Sequence, residues 1–308
     1  MIRTITAASI LLAGAAPAAV AHGGLPIAQA AQPDIEVTST DLGDGLHMLV
    51  GRGGNLGVLT GPDGVFVIDS QFADIAPANL AKINEIGGGA TPRFLVNTHW
   101  HGDHVGGNAA FEAAGATIVA HENVRARVSE DQEGELLGQI RKTPASPPEV
   151  WPVVTYNQDV ALHLNGQTIQ VFHVPDAHTD GDSIVFFKEA NVVHMGDVMF
   201  SGFFPFIDVS SGGTTKGYIA ALDYVHGKID DETQVIPGHG PLSTRADILA
   251  LADMLRGACA AVEAEIAAGK SLEATIASRP LEQWNEDWGG GFMNEERFTA
   301  ILYADLSS

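Results

Sequence analysis

Seven residues in four short segments carry the chemistry of this chain of 308 residues. Four lie in the run His99-Trp100-His101-Gly102-Asp103-His104, and the others are His178, Asp197 and His239. Imidazoles and carboxylates suit borderline and hard divalent cations, and they meet no competing thiol here. His99 and His101, two apart in an extended loop, point the same way and can grip one ion. Asp103 and His104, just downstream, turn toward a second position. His178, Asp197 and His239 each end a predicted strand, so all seven can converge at one edge of a sheet. Charges packed this densely are costly to bury without a cation, which makes the pattern a two-metal site. Asp197 taken alone carries less, because a Gly-Asp after an apolar strand is also an ordinary turn.

The segments Asn97–Gly107, Asp176–Asp182, His194–Phe200 and Pro237–Gly240 resemble the metallo-β-lactamase superfamily, reading HxHxDH, HTxGD, GD and PGHG in that order. The resemblance implies an α/β fold, a four-layer αββα sandwich with mixed or antiparallel sheets and metals at one edge. It also implies that His99, His101 and His178 hold one metal, Asp103, His104 and His239 hold the second, and Asp197 bridges them. Nitrogen and oxygen ligands without sulfur favour two Zn2+, with iron or manganese as the other candidates. Two such cations share a water and yield hydroxide near neutrality, which attacks a carbonyl. Asp103 is the catalytic candidate, orienting the nucleophile and then carrying a proton.

The expected reaction is hydrolysis of a small-molecule lactam, lactone or thioester. Members of the superfamily that act as true β-lactamases usually have cysteine or serine at the bridging place, so Asp197 leans toward glyoxalase-like, lactonase-like or generalist members. Export leans the other way, since antibiotics are met outside the cytoplasm. The reading is an exported binuclear zinc hydrolase of β-lactamase-like, promiscuous activity. A glyoxalase II-like thioesterase or a lactonase is the alternative. A non-catalytic metal-binding or relay component is a third reading, disfavoured by the intact seven-residue set.

Residues 1–21 read as a signal peptide: Arg3 precedes the apolar stretch Ile5–Ala16, Pro17 breaks it, and Ala19-Val20-Ala21 forms a small-residue cleavage site. Residues 22–40 are a lead-in, and 41–308 a single hydrolase domain. The expected location is periplasmic or secreted, with no stable membrane insertion after cleavage. A net charge of −22 argues against nucleic acid or any other polyanion as substrate. The single cysteine, Cys259, lies in a helical pattern as a small apolar residue.

Hydrophobic alternation predicts strands at Leu46–Val50, Asn55–Thr60, Val65–Asp69, Arg93–Thr98 and Thr117–Ala120. A second strand-rich half follows: Val160–Leu164, the Asn165-Gly166 turn, Gln167–Val174, Ser183–Phe187, Asn191–His194 and Gln234–Ile236. Helices are predicted at 75–86, 106–114, 215–227, 243–269 and 271–278, with Thr244 and Asp247 as a capping box. The stretch Glu130–Pro152, with Pro144, Pro147, Pro148 and Pro152, reads as a surface excursion near the site mouth. The tail from Leu281 gives no clear pattern. Asp69 and Asp182 are candidate acceptors for ligand imidazoles. Phe200, Phe203, Phe204 and Phe206 are candidates for an apolar wall, Trp100 for the entrance and Lys216 for a solvated helix start. The other histidines, His47, His121, His163, His173, His194 and His226, read as core or surface imidazoles.

Overall fold

In the computed structural model, residues 36–136 and 139–307 are described. The expected signal peptide therefore lies outside the described residues. Alternation of side chains builds the fold. The first sheet takes up β1 (Thr38–Gly43), β2 (Leu46–Val50), β3 (Leu56–Leu59), β4 (Val65–Ile68), β5 (Pro92–Asn97) and β6 (Thr117–His121). A hairpin of β7 (Gln132–Leu136) and β8 (Gln139–Thr143) intervenes before β9 (Val154–Tyr156) completes that sheet beside β6. Pairing is antiparallel from β1 to β4 and parallel from β4 to β9. The second sheet runs β10 (Asp159–Leu164), β11 (Gln167–His173), β12 (Ser183–Phe187), β13 (Val192–His194) and β14 (Gln234–Ile236), with only its last pair parallel. Asn165 and Gly166 join β10 to β11 at positive φ, as a two-residue hairpin turn needs.

The period of two sorts the apolar side chains onto two faces. In β4, Phe66 and Ile68 face the second sheet, while Val65 and Val67 face the opposite way. In β12, Val185 and Phe187 meet the first sheet, and Ile184 turns away from it. Phe66 and Phe187 touch edge to face across the gap, 6.0 Å between centroids. Val65, Val67 and their neighbours are covered by α1 (Ala76–Ile86) and by α3 (Asn108–Ala113), which follows the single turn α2 (Gly102–Val105). After α4 (Glu122–Val128), the remaining helices pack on the far side of the second sheet. These are α5 (Thr215–His226), α6 (Arg245–Ala267), α7 (Leu272–Ser278), α8 (Glu282–Trp288) and α9 (Glu295–Leu306). Three apolar interfaces thus separate four layers, the αββα sandwich that the resemblance implied.

Several elements depart from the sequence reading, α4 and β9 among them, which it did not predict. The strand β1 begins at Thr38, inside the expected lead-in, because an edge strand with only Leu42 turned inward shows no apolar alternation. The Glu130–Pro152 excursion contains the β7–β8 hairpin. The tail beyond Leu281 forms α8 and α9, interrupted at Gly289-Gly290-Gly291, and α9 buries Phe298, Ile301 and Leu302.

Candidate metal centre

All seven side chains converge beyond the ends of the two sheets. The strand β5 delivers His99 and His101, α2 carries Asp103 and His104 in its first turn, and β13 and β14 end just before Asp197 and His239. His99, His101, His178 and Asp197 form one group of mutually close ligand atoms, and Asp103, His104 and His239 a second.

Hydrogen bonds on the far side of each ring set which nitrogen faces inward. The Thr98 hydroxyl donates to Asp69 Oδ2 at 2.8 Å and therefore accepts from His99 Nδ1 at 3.1 Å. His178 Nδ1 donates to the Phe206 carbonyl at 2.7 Å, and His101 Nε2 to Asp208 Oδ2 at 2.9 Å. The inward atoms are then lone pairs: His99 Nε2 stands 3.1 Å and His178 Nε2 2.9 Å from His101 Nδ1. Three lone pairs aimed at one another repel unless a cation lies among them, so this trio fits a metal.

In the second group one ring is oriented in the same way. His104 Nδ1 donates to Asp69 Oδ2 at 2.7 Å, turning Nε2 inward. His239 Nε2 lies 3.2 Å from Asp103 Oδ2. Asp197 stands between the groups. Its Oδ1 is 3.0 Å from His104 Nε2 and 3.4 Å from His239 Nε2, and its Oδ2 is 3.7 and 3.6 Å from the Nε2 atoms of His99 and His178. His104 Nε2 and Asp197 Oδ1 are fully buried without a well-formed hydrogen bond. Orphaned buried atoms of this kind are the ones a cation would satisfy.

Protonation follows burial and the neighbours. Burial, then the other imidazoles, hold His99 well below the usual histidine range, and burial pulls His178 down to about 4. For His104, burial works downward, but Asp197, Asp103 and Asp69 carry it well above that range. His239 is likewise lifted to about 9 against burial by Asp197 and Asp103. Burial opposes ionisation of Asp197, yet His104, His239 and His99 hold its carboxyl well below the usual range. Asp197 and Asp103 are charged and His99 and His178 are neutral, the forms in which these groups bind metal.

Close backbone approach is needed at two glycines. A Cβ on Gly54 would overlap the His104 ring, and one on Gly238 would overlap Asp197 Oδ1. The Asn55 side chain clamps the second of these loops, donating to the carbonyls of Pro237 and Gly240 at 2.9 Å each. Tyr218 of α5 donates to the Asp197 carbonyl at 2.9 Å.

Asp69 accepts from a ligand candidate as read from the sequence, and does so at positive φ. Asp182 does not. It accepts from Thr179 N and Oγ1 and braces the turn bearing His178, and burial pushes its carboxyl up to about 8. His194 is turned outward from the centre, sharing its ring nitrogens with Asn55 O and Gly196 N. Lys216 is exposed on α5. Asp208 was missed by the sequence reading: no motif surrounds it, and its signal was only the Pro-Phe-Ile-Asp run following the phenylalanines. Phe206 faces His101 and His178 at 5.7 Å from each ring, and Trp100 lies 4.8 Å from His101. Phe200 stacks on His239 at 5.1 Å, whereas Phe204 is core, packed on Phe298 at 4.8 Å.

Comparison with known proteins places this arrangement. The metallo-beta-lactamase superfamily model matches residues 49–246. The hydroxyacylglutathione hydrolase of Pelagibacter ubique is 29% identical over 110 residues, 35% of this chain and 37% of that enzyme. The chain thus spans little more than a third of that relative's length. Among solved structures, a metallo-beta-lactamase from Pontibacter korlensis superposes with a TM-score of 0.60 at 16% identity, covering 72% of this chain and 99% of that one. A stereoselective inverting sec-alkylsulfatase from a Pseudomonas species gives 0.64 at 15% identity, covering 87% of this chain and 50% of its own. At these identities the two structures speak for the fold.

Proposed function

This chain belongs to the metallo-β-lactamase superfamily and is a hydrolase, and on that premise we propose a binuclear zinc enzyme that attacks an acyl carbonyl with β-lactamase-like breadth. The observation that carries the proposal is Asp197, whose two oxygens face two separate sets of imidazoles. His99, His101 and His178 would hold one cation, Asp103, His104 and His239 the other, with Asp197 shared. Bound there, two divalent cations supply an acidified water and a Lewis acid for the carbonyl oxygen. The chain's own part is orientation and proton handling. Asp103 is half-buried at the rim, with Oδ2 3.2 Å from His239 Nε2, placed to align the attacking water and accept its proton. Trp100 and Phe206 screen the first trio from bulk water.

A carboxylate at the bridging place favours one second reading, a thioesterase or lactonase. Hydrolysis of a penicillin, a lactone and a thioester by zinc-loaded protein tests both. Protein carrying two zinc equivalents that cleaves none of them would sink the hydrolase assignment to acyl carbonyls. Export to the periplasm with cleavage after Ala21, leaving one domain from the lead-in onward, is proposed on the apolar stretch and its Ala-Val-Ala end. Sequencing the N-terminus of periplasmic protein checks it, and a retained Met1 there would refute it.

A further inference from the structure

We infer that the C-terminal segment beyond the superfamily match supplies a wall of the metal centre, where Phe292 and Phe203 receive an uncharged, apolar acyl chain. The superfamily match ends at residue 246, and α8, α9 and their linker lie after it. That linker is bound to the site loop. Phe204 N donates to the Trp288 carbonyl at 2.7 Å, and Gly291 presses so close to the Phe203 ring that a Cβ would overlap it. Met293 is buried in the core beside Phe298, which anchors the residue next to Phe292.

Phe292 is nevertheless 54% exposed, with its ring 6.3 Å from Phe203 and 6.3 Å from His239. A large aromatic held by its backbone at the rim of a polar centre, with its face open, is what an apolar ligand group covers. Charge points the same way. Arg52 is matched by Asp74 and Arg127 by Asp180, while Arg297 donates to the neutral Phe292 carbonyl at 3.2 Å and keeps its charge, which is why an anionic ester belongs in the test. Within a chain of net charge −22, an anionic acyl group is disfavoured.

The inference rests on the hydrolase reading, and its test separates the two. Zinc-loaded full-length protein is assayed on p-nitrophenyl esters from acetate to hexanoate and on a hemisuccinate. The expected kcat/KM rises roughly two- to fourfold per added methylene, falls for the hemisuccinate, and loses its chain-length slope in Phe292→Ala. Phe292→Leu keeps the slope. Metal content and melting temperature of both variants match the parent, which excludes misfolding as the cause. Calorimetry with N-ethylhexanamide and N-ethylacetamide supplies a reading independent of turnover: the hexanoyl compound binds tighter, and Phe292→Ala erases the difference. Amide binding of this pattern without cleavage of any ester keeps the wall and sinks the hydrolase reading. Ester cleavage with a flat profile, a preferred hemisuccinate, or an unchanged slope in Phe292→Ala overturns the inference.

Discussion

The Asp208 carboxylate meets His101 Nε2 at 2.9 Å, and that contact decides which nitrogen of His101 faces the other imidazoles. Two residues earlier, the Phe206 carbonyl does the same for His178. One short segment thus sets the tautomers of two histidines that lie far apart in the chain. Ser210 Oγ and Ser211 N also donate to Asp208, and burial is outweighed by these bonds and by His101, holding its carboxyl well below the usual range.

Asp208→Ala is therefore expected to weaken metal binding by roughly 10- to 100-fold, as loss of a partner behind a ligand imidazole does. Asp208→Asn, which keeps an acceptor oxygen, falls between. Zinc competition against a chromophoric chelator measures both. Parent-like affinity in the alanine variant would show that packing alone orients His101.

Asp197→Ser tests the shared carboxylate. Serine keeps no charge and cannot reach both groups, so the second metal equivalent is expected to be lost on dialysis and hydrolysis to fall by orders of magnitude. Elemental analysis beside turnover decides. Two retained metals with full activity would reduce Asp197 to a turn residue.

Gly54→Ala probes crowding rather than chemistry. The added methyl group must displace the His104 ring or the backbone beneath it. Metal content below that of the parent with an unchanged far-ultraviolet circular dichroism spectrum is the expected result. Normal metal content would mean that the 51–55 loop yields without moving His104.

Outside the centre, His121 and His173 stack face to face with centroids 3.7 Å apart. Burial lowers both pKa values, and for His121 the neighbouring ring adds to it, against weaker upward pulls from the Asn157 carbonyl on His121, the Asp182 carbonyl on His173, and nearby carboxylates. The unfolded chain then takes up protons that the fold refuses. Stability from this pair is complete above the unfolded histidine value of 6.5 and is lost as pH falls from there toward the lower folded values. Urea midpoints between about pH 7.5 and about pH 5 should drop less steeply for His173→Gln than for the parent. Parallel slopes would show that His173 does not contribute to this loss.

What could be read in advance depended on how locally each feature is encoded. His99 to His104 announce themselves through residue type and spacing, and β4 or β12 through apolar runs. Asp208 has no such spacing, because its role exists only once the chain folds back on His101. The edge strand β1 turns only Leu42 inward among polar residues and matches no pattern. Phe292 sits after three glycines, a run that gives no sign of its link to Phe203.

The clamp from Asn55 to the loop bearing His239 joins residues 182 and 185 positions apart. A chain emerging from the ribosome can form the first sheet and expose His99 to His104 long before Pro237 exists. The centre is therefore a late product of synthesis: its second trio is complete only when the last strand of the second sheet has docked. A truncated chain that stops before β14 would keep His99, His101, His178 and Asp197 but lack His239, so a cation would find the first group whole and the second open.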